Sequence, residues 1–285
     1  MFRIVAAALL AASLLALPTR AESQTARQAR QEVEASMVVT GVIDIDAKGE
    51  VTAHVVDQPD KLPDYVLELV DRAVPAFRFE PLLVDGSPAS GQAKMSLRLV
   101  ATQAGDGSMN VAIRSAHFGE TYSESGTTSV RSQDMQPPHY PASVLHMGGT
   151  GTVYMLIKVG RDGRVQDLAA EQVNLTTIGP ARAMASVRRA LERASIEAAR
   201  RWRFTPPTDG EEAAKDHWVV RIPVEYHIGK ERKVGYGEWS AYHPGPRTQP
   251  GWAQPTPPGF SPDVLLAGGV TPETSRFKLL TPLDG

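Results

Sequence analysis

Seven histidines, seven arginines bunched between residues 182 and 203, one glycine-rich run and one asparagine sequon are the features of this chain that could carry chemistry. His139 and His146 stand seven residues apart near an expected helix. A metal needs at least a third donor, and none is spaced to join them. His54, His117, His217, His227 and His243 are scattered, so no metal site is expected. Gly148-Gly149-Thr150-Gly151 precedes a β-rich stretch, whereas a loop that cradles phosphate follows a strand and opens a helix. No Gly-x-Ser-x-Gly nucleophile elbow occurs. The absence of cysteine excludes a disulfide scaffold, a Cys-ligated zinc, an iron–sulfur cluster, a thiol nucleophile and a lipidated N-terminal cysteine. No catalytic residue and no cofactor are assigned, and the chain reads as not an enzyme; a hydrolase would need a clustered acid–base set. Among the arginines, Arg193-Glu197 and Glu197-Arg201 have i,i+4 spacing, so a solvated, salt-bridged helix face is expected. An anionic partner, such as the headgroup side of a membrane, is the sharper alternative. Asn174-Leu175-Thr176 fits a glycosylation sequon, a match that often arises by chance.

Thirty Lys+Arg against 32 Asp+Glu give the 285-residue chain a formal charge of −2. With a pI of about 6.4 there is no bulk electrostatic case for nucleic acid. Met1-Phe2-Arg3, the 14-residue apolar run Ile4–Leu17 and the small residues Thr19 and Ala21 have the order of a secretory signal. A spanning helix needs roughly 20 apolar residues, so the run is short for an anchor. The expectation is cleavage after Ala21, location in the periplasm and, with the signal gone, no stable membrane anchor; the alternative is an uncleaved inner-membrane anchor.

The elements that must position any site follow from periodicity. Val38–Asp46 and Glu50–Val56 flank the turn Ala47-Lys48-Gly49 and read as a β-hairpin. Apolar residues at 62, 66, 69, 70, 73 and 74 have helical spacing, and Pro75 ends or kinks that helix. Gln92–Thr102 alternates as a third strand. The order then repeats: strand Thr152–Val159, turn Asp162-Gly163, return strand Arg164–Gln172, a helix from about Pro180 to Trp202, and a closing strand Trp218–Tyr226. In the second helix Met184, Val187, Leu191, Ala194, Ala198 and Trp202 form one apolar stripe. Ala73-x-x-x-Phe77-Arg78-Phe79-x-Pro81 matches Ala198-x-x-x-Trp202-Arg203-Phe204-x-Pro206, and Gly49-x-Val51 matches Gly163-x-Val165. An internal duplication accounts for these matches. The fold class is α+β: two small β-β-α-β units, each a three-stranded antiparallel sheet with one helix on one face, plus a disordered tail. Residues 235–285 hold 9 of the 22 prolines and 8 of the 24 glycines, too little side chain to build a core alone.

Pro138-x-Tyr140-Pro141, Asp162-Gly163-x-Val165, Ala198-x-x-x-Trp202-Arg203-Phe204-x-Pro206 and Ile222-Pro223-Val224-x-Tyr226 occur in the order of the TonB C-terminal domain. Residues 135–229 resemble that family throughout. Residues 37–104 resemble a degenerate copy, with Phe77 in place of the tryptophan and no Pro-x-Tyr-Pro ahead of it. The division expected is a signal at 1–21, a spacer at 22–36, the degenerate unit at 37–104, a linker at 105–134, the TonB-like domain at 135–229 and the disordered tail at 230–285. Trp202 is expected to anchor the helix end in the core, with Arg203 pointing out.

The resemblance implies a protein or peptide partner: an extended segment of an outer-membrane transporter, bound by strand addition to a sheet edge. That edge would be Trp218, Val219, Val220, Arg221, Ile222, Val224, Glu225 and Tyr226, with Pro223 suited to an edge and Arg221 and Glu225 guarding it against aggregation. TonB proper keeps a histidine-bearing membrane anchor and carries its proline-rich spacer ahead of the domain; here the N-terminal run lacks histidine and the proline-rich part follows. A soluble binding module is therefore the leading expectation, and an anchored energy transducer the alternative. Nothing in the sequence selects or excludes a homodimer.

Overall fold

The first hairpin closes through a glycine in the left-handed backbone region. The computed structural model describes residues 33–84, 86–104, 108–120, 127–229 and 234–283. In it β1 (Glu34–Ile45) and β2 (Val51–Val56) pair antiparallel, Gly41 opposite Val56 and Ile45 opposite Val51. Gly49 in the turn has φ 84°, and a Cβ there would lie 2.0 Å from the Phe79 carbonyl oxygen. Helix α1 (Asp64–Ala73) buries Val66 and Val70, and Pro75 sits in the 3-10 turn that ends it. A small hairpin, β3 (Leu82–Val84) and β4 (Ser87–Ala89), leads to β5 (Gly91–Gln103), which runs back along the whole of β1. The next strand, β6 (Met109–Gly119), pairs with β5. Met37, Val39, Ile43, Val66, Val70, Phe77, Phe79, Met95, Leu97 and Leu99 form the core between this sheet and α1.

The second half begins with β7 (Arg131–Asp134) and the short helix α2 (Ala142–His146). The hairpin β8 (Gly151–Gly160) and β9 (Val165–Leu175) follows, then α3 (Ala181–Ala199), β10 (Arg203–Thr205) and β11 (His217–Tyr226). β8 lies between β9 and β11. Met184, Val187, Leu191, Ala199 and Trp202 pack against Val153, Met155, Ile157 and Val159. The apolar stripe on α3 passes through Ser195, which is fully buried, and leaves Ala194 half-buried. Its hydroxyl lies 2.8 Å from the Tyr226 hydroxyl, which makes a polar residue tolerable in the core.

The architecture is α+β with several antiparallel sheets. Neither main sheet has the three strands expected: the first has five and the second four. Residues 105–134 do not act only as a linker, since they supply β6 to the first sheet and β7 as partner of β10. The first strand begins at Glu34, inside the expected spacer. The signal segment 1–21 and most of the spacer lie outside the described residues.

The largest correction concerns the tail. Residues 234–283, expected to be disordered, form little regular structure of their own but pair with the sheet edges at several points. Strand β12 (Ser240–Tyr242) joins the β1 edge beyond the end of β2. His243 then exchanges backbone hydrogen bonds with Leu175, and Thr248 donates to the Glu171 carbonyl (2.8 Å), so the chain follows the outer edge of β9. Strand β13 (Thr271–Pro272) pairs with β11. Leu279 bridges to Phe79, and Phe277 enters the first core. Proline and glycine prevent the segment from building its own core, but a chain already extended can use the free donors and acceptors of existing sheet edges.

Between the sheets, Arg98, Val100, Tyr154 and Leu156 are buried although strand alternation turns them away from both helices. The 3-10 turn Pro262–Val264 is buried with them. Arg98 pairs with Glu34 and, at 3.3 Å, with Asp263. Asp263 accepts from Tyr242 (2.6 Å) and Asn174 (3.4 Å), so one buried polar cluster ties β5, β9 and the tail together.

Candidate peptide-binding edge

The edge strand owes its position to β8, which pairs with all of β11 without a bulge, from His217 opposite Gly160 to Tyr226 opposite Gly151. Trp218, Val220, Ile222, Val224 and Tyr226 face α3 and are buried. The Trp218 indole donates to the Glu212 carbonyl at 3.0 Å. The Tyr226 hydroxyl donates to the Leu191 carbonyl at 3.2 Å, and its ring meets Tyr140 edge-on at 5.4 Å. Burial pushes the Tyr226 phenol up to about 12.

The opposite side of β11 is not free along its length. Val220 stands opposite Pro272 and Arg221 opposite Thr271, and the Glu273 amide donates to the Val219 carbonyl at 2.9 Å. That bond fixes the direction of the backbone groups. In a regular strand they alternate, so residues 219, 221, 223 and 225 face outward and the even positions bond β8. Pro223 therefore lacks its amide on the outward side, where an edge tolerates it. Among the described residues, Ile222–Tyr226 has no strand partner on that side, and its outward groups are the Pro223 carbonyl and the Glu225 amide and carbonyl.

Arg221 is the main departure from expectation. It is no solvent-exposed guard: only 2% of its surface is accessible. Its Nε donates to Glu171 at 2.8 Å, its Nη1 to the Glu273 carbonyl at 3.0 Å, and its guanidinium lies 4.7 Å from the Phe260 ring centroid. Arg247 adds a second cation to Glu171 at 3.2 Å. Odd positions of β11 point toward the face covered by the tail, and a charge there must be paired. Glu225, nearer the strand end, is exposed and meets His227 at 2.8 Å. Nothing in local sequence signalled Glu171, Phe260 or Glu273, because they are joined only by the fold.

The motif residues support this edge from behind. Pro138 is half-buried, and Pro141 immediately precedes α2. The Tyr140 hydroxyl donates to the Gly149 carbonyl. Ala198 is buried, Trp202 lies in the core, and the Trp202 indole donates to the Gln136 carbonyl at 2.8 Å. Arg203 stays outside the core, half-buried, and its Nη1 caps the carbonyls of Arg201 (3.2 Å) and Trp202 (2.9 Å) at the helix end. The Phe204 amide donates to the Gly163 carbonyl at 2.9 Å, and a Cβ on Gly163 would meet the Phe204 carbonyl at 2.1 Å and Pro206 Cδ at 3.6 Å.

No family model matches the chain. Protein TonB of Xanthomonas campestris is 31% identical over 103 residues, which cover 36% of this chain and 40% of that protein; a second strain's TonB gives the same figures. The chain carries a TonB C-terminal-like domain. Protein tonB2 of Pseudomonas aeruginosa is 29% identical over 91 residues, covering 32% of this chain and 28% of the relative. The matches thus span less than half the length of these TonB proteins. A solution NMR structure of Pseudomonas aeruginosa TonB CTD aligns at 21% identity and TM-score 0.25, covering 36% of this chain and 91% of that one. Among the described residues no helix is long and apolar enough to cross a membrane.

Away from the TonB-like edge, a groove of about 650 Å³ opens beside α1, lined by Tyr65, Leu69, Met109, Val111 and Trp239, with Glu68 and Arg72 as its charged residues. The Trp239 indole donates to the Tyr65 hydroxyl at 2.9 Å.

Proposed function

We propose that this protein is an exported TonB-like binding module that takes an extended peptide, such as a segment of an outer-membrane transporter, by strand addition to β11. The observation that carries the reading is the outward-facing backbone of Ile222–Tyr226 at the rim of the second sheet. A peptide paired there would gain main-chain hydrogen bonds for affinity and meet the Glu225 side chain near the end of the strand. The reading extends to a duplicated origin. In both halves a positive-φ glycine of the hairpin accepts from the phenylalanine of the Arg-Phe-x-Pro step: Gly49 from Phe79 at 2.8 Å, and Gly163 from Phe204 at 2.9 Å.

The test is an NMR titration of the full chain with TonB-box-like peptides. Amide shifts are expected at Glu225 and its neighbours. Millimolar peptide that moves no amide between Trp218 and Tyr226 sinks the reading. Export is checked separately by mass spectrometry of the mature N-terminus. A chain beginning at Glu22 is expected; retention of Met1–Ala21 favours an anchored energy transducer instead.

A further inference from the structure

The exposed face of α3 carries four arginines in a line. Arg182, Arg189, Arg193 and Arg200 are all solvent-exposed. At 3.6 residues per turn they fall within about 40° of one another and span about 27 Å. Ser186 and Glu197 are the other exposed residues along that face. The i,i+4 pairs expected to neutralise it do not form: neither Arg193 nor Arg201 reaches ion-pair distance of Glu197. Arg188, on the flank, belongs to the fold instead, donating to the carbonyls of Val173 (3.0 Å) and His243 (3.1 Å).

Helix stability does not account for the stripe. The first turn of α3 holds no acidic residue and no side-chain cap, and Arg182 sits there against the helix dipole. Arg189 and Arg193 are like charges at i,i+4, an arrangement that opposes helix formation. The chain as a whole has a formal charge of −2, so the local excess of positive charge does not follow from composition.

We propose that this face of α3 docks on the anionic phosphates of a phospholipid membrane surface. The buried face of the helix, Met184, Val187, Leu191 and Ser195, fixes it on the sheet, so the four arginines are held along one outward line. Guanidinium forks match phosphate oxygens in pairs. The row lies on a convex helix and includes no apolar anchor. A planar phosphate array needs neither groove nor anchor, whereas a peptide partner uses one or both. The inference is independent of strand addition at β11.

The experiment is co-sedimentation of the full chain with vesicles of mixed phosphatidylglycerol and phosphatidylcholine, against phosphatidylcholine alone. Wild type and variants are compared side by side, so any contribution of the N-terminal apolar run is common to all. The R182Q/R189Q/R193Q/R200Q variant should lose about tenfold or more of its partition to the anionic vesicles, while the corresponding four-lysine variant keeps it. Raising salt from about 0.05 M to about 0.5 M should remove the wild type's preference for anionic vesicles. That salt comparison needs no variant and decides the matter even if the glutamine variant fails to fold. Unchanged partition in a folded glutamine variant, a salt-independent preference, or equal capture by soluble polyglutamate, which would indicate an acidic protein partner, overturns the proposal.

Discussion

Arg221 stands opposite Thr271, so the strand expected to receive a partner already carries a short strand of its own chain. The tail does to β11 what a bound peptide would do, over two residues and one further hydrogen bond from Glu273 to Val219. Hydrogen exchange reads this directly. The outward amide of Arg221 should exchange slowly, as should the inward amides of Ile222 and Val224. Fast exchange at Arg221 would mean that the tail strand does not stay paired to β11. A transporter-type peptide that binds should slow Glu225.

Arg221 and Glu171 are both almost fully buried, and their energetics are asymmetric. Removing one member leaves a charge without its partner in a region of low dielectric, at a cost of about 3–5 kcal/mol. Glu171→Ala is expected to fall in that range, because it strands Arg221 and frees Arg247. The double change Arg221→Met with Glu171→Leu should be markedly less costly than the sum of the single ones. Urea unfolding of the three variants checks this, provided the transitions remain two-state.

What the sequence revealed was what depends on near neighbours. The two hairpins and the α3 stripe that ends in Trp202 rest on residues within a few turns of one another. Ser195 escaped because it is polar: the stripe was drawn through Ala194, and only the Tyr226 hydroxyl, 31 residues away, makes a serine acceptable in the core. The tail escaped for a related reason. Its composition is indeed too poor for a core, but composition does not show that the edges of β1, β9 and β11 stand ready to pair with it. The guard expected at Arg221 turned out to be a buried tether, since side-chain alternation says which face a residue takes but not what covers that face.

Gly49, Gly86 and Gly163 all have positive φ, at 84°, 77° and 71°, yet alanine should affect them unequally. At Gly86 nothing lies within 4 Å of an added Cβ, so only the left-handed backbone opposes it, for about 1–2 kcal/mol. At Gly49 and Gly163 the new carbon would sit 2.0 and 2.1 Å from a backbone carbonyl oxygen, which cannot move without breaking the Phe79 or Phe204 pairing. Overpacking adds about 1–3 kcal/mol there. Thermal unfolding should rank Gly86→Ala well above the other two. Equal melting temperatures would show that the glycine–phenylalanine contact does not hold the hairpins.

His117 gives the fold a predictable acid sensitivity. Burial, reinforced by the charge of Arg221, pushes its imidazole down to about 4, and its ring packs edge-on against Phe260 at 5.9 Å. The folded pKa lies below the unfolded value of 6.5, so between those limits the unfolded chain binds a proton that the native chain refuses. Stability from this residue is intact above pH 6.5 and declines as pH falls toward 4. Carboxylates also titrate near the lower end of that window, so the informative quantity is the difference from His117→Gln, which carries no titrating ring. Melting temperature should fall more steeply for the wild type than for the variant between pH 6.5 and 5, where carboxylates contribute least. Parallel curves would place His117 in contact with water rather than under Phe260.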